Sequence, residues 1–310
     1  MQIHNIQLAS QANVANINLA IGNFDGVHLG HQKIIDELIE NSKIKNCLSA
    51  ILSFKPHPRQ FFSDKYRNFQ IISEEEKIYL LDKQGIDHYF SLLFDENIAS
   101  MSPKDFITKI LAEKLHSTHL IVGYDFKFGK DRKGNASLLQ EQSKIFEFDM
   151  NIIQPITSNY NAVAYSSSLI REFIRDGNME KANLFLGRNW SMQGTVIKGD
   201  RRATEMNFPT ANIIPGELIH PKKGVYAIRA RYIDKWSNGI ANFGERPTVD
   251  GKRLFLEAHL FKFNQNIYGK KLTVEFLTFI REEKKFDNFA LLAEQIQKDI
   301  QLVKAYHSEQ

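Results

Sequence analysis

Cysteine is almost missing from this chain: Cys47 is the only one in 310 residues. One thiol excludes an intramolecular disulfide and any Cys-x-x-Cys metal site. Lying beside the apolar run Leu48 to Phe54, it reads as a buried structural thiol. Long apolar runs are missing too. No stretch reaches the roughly 18 apolar residues that a membrane span needs, and MQIHNIQLAS lacks the basic start and apolar core of a secretory signal. These absences favour a cytoplasmic protein with no membrane partner. Charge of one sign is also scarce: 40 Lys+Arg against 36 Asp+Glu leave +4, with the basic residues scattered. That balance suits anionic small molecules and argues against a nucleic-acid partner. Internal repeats and low-complexity linkers are absent, and oligomeric state leaves no trace.

What is present is an ordinary globular composition, 43% hydrophobic and 25% charged, on a chain long enough for two domains. The first half alternates strand-like and helix-like text. Ile17 to Ile21, Leu48 to Phe54, His88 to Leu93 and His119 to Val122 read as strands. Gly30 to Ser42, Glu74 to Lys83 and Pro103 to Leu115 read as helices, the last capped by Ser102. Lys55-Pro56-His57-Pro58 stops the second strand, its two prolines opposing regular structure. Such alternation predicts βαβ units and a parallel sheet in an α/β domain over residues 1–186. From Trp190 the chain turns to β-branched and aromatic runs: Gly194 to Ile197, Val225 to Tyr232, Leu254 to Phe263 and Leu272 to Ile280. These predict a small antiparallel β-barrel over residues 187–310. It ends in a helix, Asn288 to Tyr306, with Leu291, Leu292, Ile296, Ile300 and Val303 on one face.

Ligands of open parallel sheets bind at the carboxyl ends of the strands. Gly22 to His31, GNFDGVHLGH, occupies that place after the first predicted strand. Gly22 and Gly26 let the backbone turn close to a ligand. His28 and His31 are three residues apart as a helix begins, so both imidazoles can face one way beside the helix N-terminus. There they can hold nucleotide phosphates and stabilise a leaving pyrophosphate. A bare His-x-x-His is more often two unrelated histidines at a turn; the whole decapeptide at a strand–helix junction favours nucleotide.

The decapeptide resembles that of the bacterial bifunctional riboflavin kinase/FAD synthetase family, and the resemblance spans essentially the whole chain. His28-Leu29-Gly30-His31 has the HxGH form of the nucleotidylyltransferase superfamily, and Gly22-Asn23-Phe24-Asp25-Gly26 is narrower. Phe54-Lys55-Pro56-His57-Pro58 is similar to the family's FxPHP turn, and Gly123 to Gly129 to its GxDFxFG segment. Tyr165-Ser166-Ser167-Ser168-Leu169-Ile170-Arg171 resembles ISSTxIR, with Ser168 for threonine. The resemblance implies a Rossmann-like nucleotidyltransferase domain that adenylylates FMN with ATP. His28, His31 and Arg171 would be catalytic. Gly22, Asn23, Phe24, Asp25, Gly26, Gly30, Asp125, Ser166, Ser167 and Ser168 would bind ATP, and Phe54, Pro56, His57 and Pro58 the flavin. Serine hydroxyls and an arginine fork suit triphosphate oxygens, although Arg171 alone equally fits a solvated helix charge and Asp125 a turn residue.

The second half resembles the family's riboflavin kinase module in Gly194 to Asp200, Phe208-Pro209-Thr210-Ala211-Asn212, Asn242 to Thr248, Glu257 to Leu260, Tyr268 to Lys270 and Arg281 to Phe286. By that resemblance Gly199, Asp200, Arg201 and Pro209 bind ATP, Thr210 and Asn212 offer oxygen ligands to ATP-bound Mg²⁺, and Glu257 is the base. Taken singly, Glu257 is a barrel carboxylate and Pro209 to Asn212 a turn. One departure stands out: where the family has GxxxGRxxGFPTAN, this chain has Ala203 and Asn207 for glycines and Thr204 for arginine. Alanine avoids the left-handed region that glycine enters freely, so the kinase loop is altered.

The expectation is therefore a cytoplasmic two-step enzyme that makes FMN from riboflavin and then FAD, using ATP and Mg²⁺. The alternatives are an FAD synthetase with a weak kinase module, and a nucleotidyltransferase whose barrel binds RNA or protein.

Overall fold

Ile17-Asn18-Leu19-Ala20-Ile21 is buried at every position, as a strand covered on both faces of a parallel sheet must be. The computed structural model describes residues 1–9, 14, 16–158, 163–198, 209–248 and 251–308. They cluster into two units, one of Met1–Arg67 with Ser73–Ser167, the other of Asn68–Ile72 with Ser168–Gln310.

In the first unit the strands are β1 (Gln2–Ile6), β2 (Ile17–Ile21), β3 (Leu48–Lys55), β4 (His88–Leu93), β5 (Ser117–Gly123), the short pair β6 (Lys127–Phe128) and β7 (Gly134–Asn135), and β8 (Asp149–Ile153). Six of them form one sheet in the order β1-β4-β3-β2-β5-β8, and every pairing is parallel. The chain builds outward from β2 through β3 and β4, then crosses to the other side of β2 for β5. The carboxyl ends of β2 and β5 thus flank a topological switch point, where an open sheet leaves a crevice. The helices are α1 (Leu29–Ile44), α2 (Pro58–Phe62), α3 (Glu74–Gln84), α4 (Glu96–Ser100), α5 (Pro103–Asp105) and α6 (Ala136–Phe146). Leu19, Leu52, Phe90, Ile107, Leu111 and Leu120 centre the core and are all 1% exposed or less. Truncating such a leucine to alanine costs about 2–5 kcal/mol.

Three local expectations are corrected. Only Pro103–Asp105 is α-helical in the segment read as a helix to Leu115. Phe106–Ala112 winds as a π-helix, continued by Glu113 N–H to Thr108 O at 2.9 Å and Leu115 N–H to Ile110 O at 3.0 Å. Pro58 starts a helix rather than preventing one, because a first-turn N–H has no intrahelical partner to lose. Cys47 is half-buried, in the turn where its N–H meets Ser42 O.

The second unit contains α7 (Ser167–Asp176), which begins on the first unit's last residue, and α8 (Met179–Leu186). Its strands are β9 (Ser191–Ile197), β10 (Ala211–Ile213), β11 (Gly224–Tyr232), β12 (Lys235–Thr248), β13 (Gly251–Leu260) and β14 (Lys271–Arg281). They close into a barrel in the order β10-β13-β12-β11-β14-β9, with antiparallel neighbours. The last helix, α9 (Phe289–Ser308), lays Ile300 and Val303 on Val225, Ala227, Ile240 and Leu277. Arg281 anchors it through three hydrogen bonds to Asp299, a carboxylate only 2% exposed. The segment Asn68–Ile72 belongs here: the Trp190 indole N–H donates to Ile71 O at 2.8 Å.

Candidate functional site

The loop from β2 into α1 is tightly wound. Gly26 has φ 93°, in the region that glycine enters freely. Phe24 and Val27, without that freedom, stand at φ 48° and 39°. Strain of this kind gathers where a backbone is shaped for a ligand. His28 is the N-cap of α1, and its Nδ1 accepts from His31 N–H at 3.2 Å. A neutral His28 ring therefore carries its proton on Nε2. The His28 and His31 rings stack with centroids 3.6 Å apart and planes 16° from parallel. Gly30 permits this packing, since a Cβ there would lie 2.9 Å from Tyr165 Cβ and 3.1 Å from the His28 ring. Two imidazoles thus face one way at the positive end of a 16-residue helix, an arrangement whose chemistry can receive an anion.

Of the other predicted residues, Ser167 meets this loop. Ser167 Oγ donates to Asp25 O at 2.8 Å, which brings the serine segment onto it, and Asp25 is buried. Ser166 is half-buried and Ser168 exposed. Arg171 belongs to the second unit, buried rather than solvated. Its Nε donates to Phe69 O at 2.9 Å, and its guanidinium lies 3.7 Å from the Phe69 ring centroid.

The neighbouring strand ends carry the two further segments. After β3, His57 caps α2 by accepting Arg59 N–H on Nδ1 at 3.1 Å, while Pro58 supplies the first turn. Phe54 packs edge-on to Phe94 at 5.9 Å and near Phe106 at 6.2 Å; Pro56 is exposed. After β5, Asp125 is exposed with its Oδ1 3.2 Å from where a Gly123 Cβ would stand. The segments following β2, β3 and β5 therefore lie at the carboxyl ends of three adjacent strands.

On the barrel, strand register does the assembling. Asn212 on β10 and Asn242 on β12 both pair with Glu257 on the intervening β13, forming one row. Glu257 and Asn212 are buried, and Asn212 Nδ2 donates to Thr210 O at 3.4 Å. Arg246, four residues along β12 from Asn242, makes an ion pair with the Glu257 carboxylate. His259 Nδ1 lies 2.9 Å from Pro209 O and fixes the start of that turn. Gly199, Asp200, Arg201 and the altered stretch from Ala203 to Asn207 lie outside the described residues. No group of three or more His, Cys, Asp or Glu that could hold a metal ion occurs among the described residues. The Thr210 hydroxyl, the Asn212 carbonyl and the Glu257 carboxylate are hard oxygen donors, and they fit a Mg²⁺ that arrives with nucleotide phosphates.

Two residues were not singled out from sequence. Arg246 stands in the Asn242–Thr248 segment, opposite Arg253 in the strand register, and only the folded side chains show that it reaches Glu257. Lys77 lies buried behind Asn23, and its Glu-Glu-Glu-Lys context resembles a solvated helix face.

Residues 10–168 match the family model described as FAD synthetase, and residues 186–307 the one described as Riboflavin kinase. The second match disfavours a barrel that serves as an RNA- or protein-binding module. The bifunctional riboflavin kinase/FMN adenylyltransferase of Haemophilus influenzae is 40% identical over 290 residues, 93% of each chain. That of Bacillus subtilis is 36% identical over 295 residues, 94% of this chain and 92% of its own. A Streptococcus pneumoniae crystal structure titled a macrolide-efflux protein superposes with a TM-score of 0.86 at 25% identity, covering 97% of this chain and 98% of that one. Efflux belongs to that protein's title; no helix among the described residues here is long and apolar enough to cross a membrane.

Proposed function

Because the chain belongs to the bifunctional riboflavin kinase/FMN adenylyltransferase family, we propose that it converts riboflavin to FMN and FMN to FAD, consuming ATP in each step. The stacked His28–His31 pair at the N-terminus of α1 is the observation that carries the adenylyl step. In that step an FMN phosphate oxygen bonds to the α-phosphorus of ATP while the bond from that phosphorus to its β-bridging oxygen breaks, and pyrophosphate leaves. No covalent enzyme intermediate is needed. The protein positions two anions and stabilises charge on the leaving group, a task for His28, His31 and the helix end. Backbone from Gly22 to Gly26, Gly30, Ser166, Ser167 and Asp125 hold ATP in this scheme, and Phe54, Pro56, His57 and Pro58 hold the flavin.

In the kinase step Glu257 takes the proton of the terminal ribityl hydroxyl as its oxygen bonds to the γ-phosphorus, and ADP leaves. Thr210 and Asn212 would hold the Mg²⁺ that accompanies ATP, and the ion would supply positive charge to offset that of the phosphates. Arg246 keeps the Glu257 carboxylate oriented. Pro209 and residues 199–201 contact the nucleotide. All partners are then small molecules, none is a nucleic acid, and the cytoplasm is the fitting compartment.

The test is to incubate the purified protein with ATP, Mg²⁺ and either riboflavin or FMN, and then to separate the flavins. FMN and FAD from riboflavin, and FAD from FMN, are expected. Absence of FAD overturns the first assignment, and absence of FMN from riboflavin the second.

A further inference from the structure

Lys77 is 6% exposed, and no step above uses it. It stands in the first turns of α3, which Ser73 caps by accepting Glu76 N–H at 3.1 Å. An ammonium has three protons, and this one has three acceptors: Asn23 O at 3.3 Å, Ser53 Oγ at 3.1 Å and Glu74 Oε2 at 2.9 Å. The Tyr89 ring lies beneath it at 5.6 Å, and the Tyr89 hydroxyl donates to Glu74 Oε1 at 2.5 Å. Burial, then the Glu74 charge, pushes that phenol well above its usual range, so it remains a donor. Packing alone does not call for this arrangement. An apolar side chain of similar volume commonly serves stability as well as a buried ion pair, because both ions must be stripped of water.

The geometry indicates what the charge is for. A peptide unit is planar and trans, so a carbonyl held in one direction aims the following N–H in the opposite one. Clamping Asn23 O toward Lys77 therefore directs Phe24 N–H away from it. That N–H meets no acceptor among the described residues, although Phe24 is 4% exposed. Buried N–H groups are almost always paired, so one left open in a nucleotide-type loop is set for a ligand oxygen. A cation on the carbonyl also polarises the peptide and strengthens the opposite donor. Ser53, 1% exposed, extends the same clamp to β3 just before Phe54, and its hydroxyl also reaches Asn23 O at 3.4 Å.

We propose that Lys77 is a positioning residue of adenylyl transfer. It fixes the Asn23–Phe24 peptide so that Phe24 N–H meets a phosphate oxygen of ATP, and through Ser53 it holds the loops after β2 and β3 in register. The proposal rests on the assignment of Gly22–His31 to ATP.

The test compares Lys77→Met, Lys77→Arg and His28→Ala with the unmodified full-length protein. It measures kcat and KM for ATP in FAD formation, riboflavin phosphorylation by the same preparation, and Tm. Misplacing a transition-state donor by about 1 Å costs on the order of 100-fold, so Lys77→Met is expected to lower the FAD-forming kcat about 10- to 100-fold with KM for ATP within about 3-fold. Riboflavin phosphorylation should be unchanged, and Lys77→Arg should recover part of the loss because it keeps a cationic donor. An unchanged kcat in Lys77→Met, or a loss confined to KM, overturns the proposal. Should Lys77→Met fail to fold, Ser53→Ala, which removes one acceptor and the second donor to Asn23 O, takes its place. A smaller loss of kcat is expected there, and none overturns the proposal. If His28→Ala loses FAD formation while Lys77→Met keeps the kcat of the unmodified protein, only the present proposal fails. If His28→Ala is also fully active, the ATP assignment itself fails.

Discussion

The two units solve the problem of handling ATP with different materials. In the first, the elements proposed to meet phosphate are two imidazoles, a helix end and backbone of a wound loop, with the ionic pair Lys77–Glu74 placed behind that loop. In the barrel the central feature is a carboxylate, Glu257, held by the Arg246 guanidinium between two asparagines on adjacent strands. The reaction types account for the contrast. A phosphate nucleophile is already ionised, so it needs positioning and charge stabilisation rather than a base. A ribityl hydroxyl must lose a proton, so the barrel needs a base.

If that contrast holds, four perturbations should separate the units, in order of expected size. Glu257→Gln should cut FMN formation from riboflavin by about 10³-fold while FAD formation from added FMN continues; an equal fall in both rates would erase the distinction. His28→Ala should do the converse, lowering FAD formation by about 10²–10³-fold with riboflavin phosphorylation intact. Separated flavins from one reaction mixture report both. Gly30→Ala should lower FAD formation by about 10–100-fold, since the added Cβ meets Tyr165 at 2.9 Å and pushes on the His28 ring. Wild-type kcat in that variant would show that the stacked geometry is not needed.

The smallest effect concerns pH and the first unit alone. His4 Nε2 and His88 Nδ1 are 2.9 Å apart on β1 and β4. Burial lowers both imidazoles below their usual value of 6.5, and for His88 the His4 and N-terminal charges add to this while Asp87 opposes it. The folded state therefore prefers neutral rings. Their contribution to stability is complete above pH 6.5 and is lost as pH falls below it. Urea midpoints that follow the first unit should decline from pH 7 toward pH 5, and His88→Phe should flatten the decline. An unaltered slope in that variant would remove the pair as its cause.

Much of this organisation was legible in the residues. β2, β3 and β5 are apolar runs ending at glycine or proline, β4 is an apolar run, and the helix from 289 to 308 shows its apolar stripe. The motif segments also mark the strand ends where they were expected. What stayed hidden depends on partners distant in sequence. β1 is an edge strand, Gln-Ile-His-Asn-Ile, mostly exposed and without alternation, and it is a strand because β4 completes its hydrogen bonds. The π-helical turns over Phe106–Ala112 keep the apolar spacing of an ordinary helix, so periodicity cannot separate the two. Arg246 and Lys77 escaped for the same reason: a charge reads as solvated until its partners are brought to it by register or packing.

The contribution of Asn68–Ile72 to the second unit bears on how such a protein can be inherited. The chain leaves the first unit for those residues and then returns to it, so the two halves are interleaved along the gene. A gene fission between codons 186 and 187 would look clean on paper. It would strand the Trp190 indole, 1% exposed, without the Ile71 carbonyl that accepts its hydrogen bond at 2.8 Å. Leaving a buried donor unmatched costs about 1–3 kcal/mol, a large part of a domain's margin. Five residues in the wrong half therefore give selection a reason to keep both activities on one polypeptide.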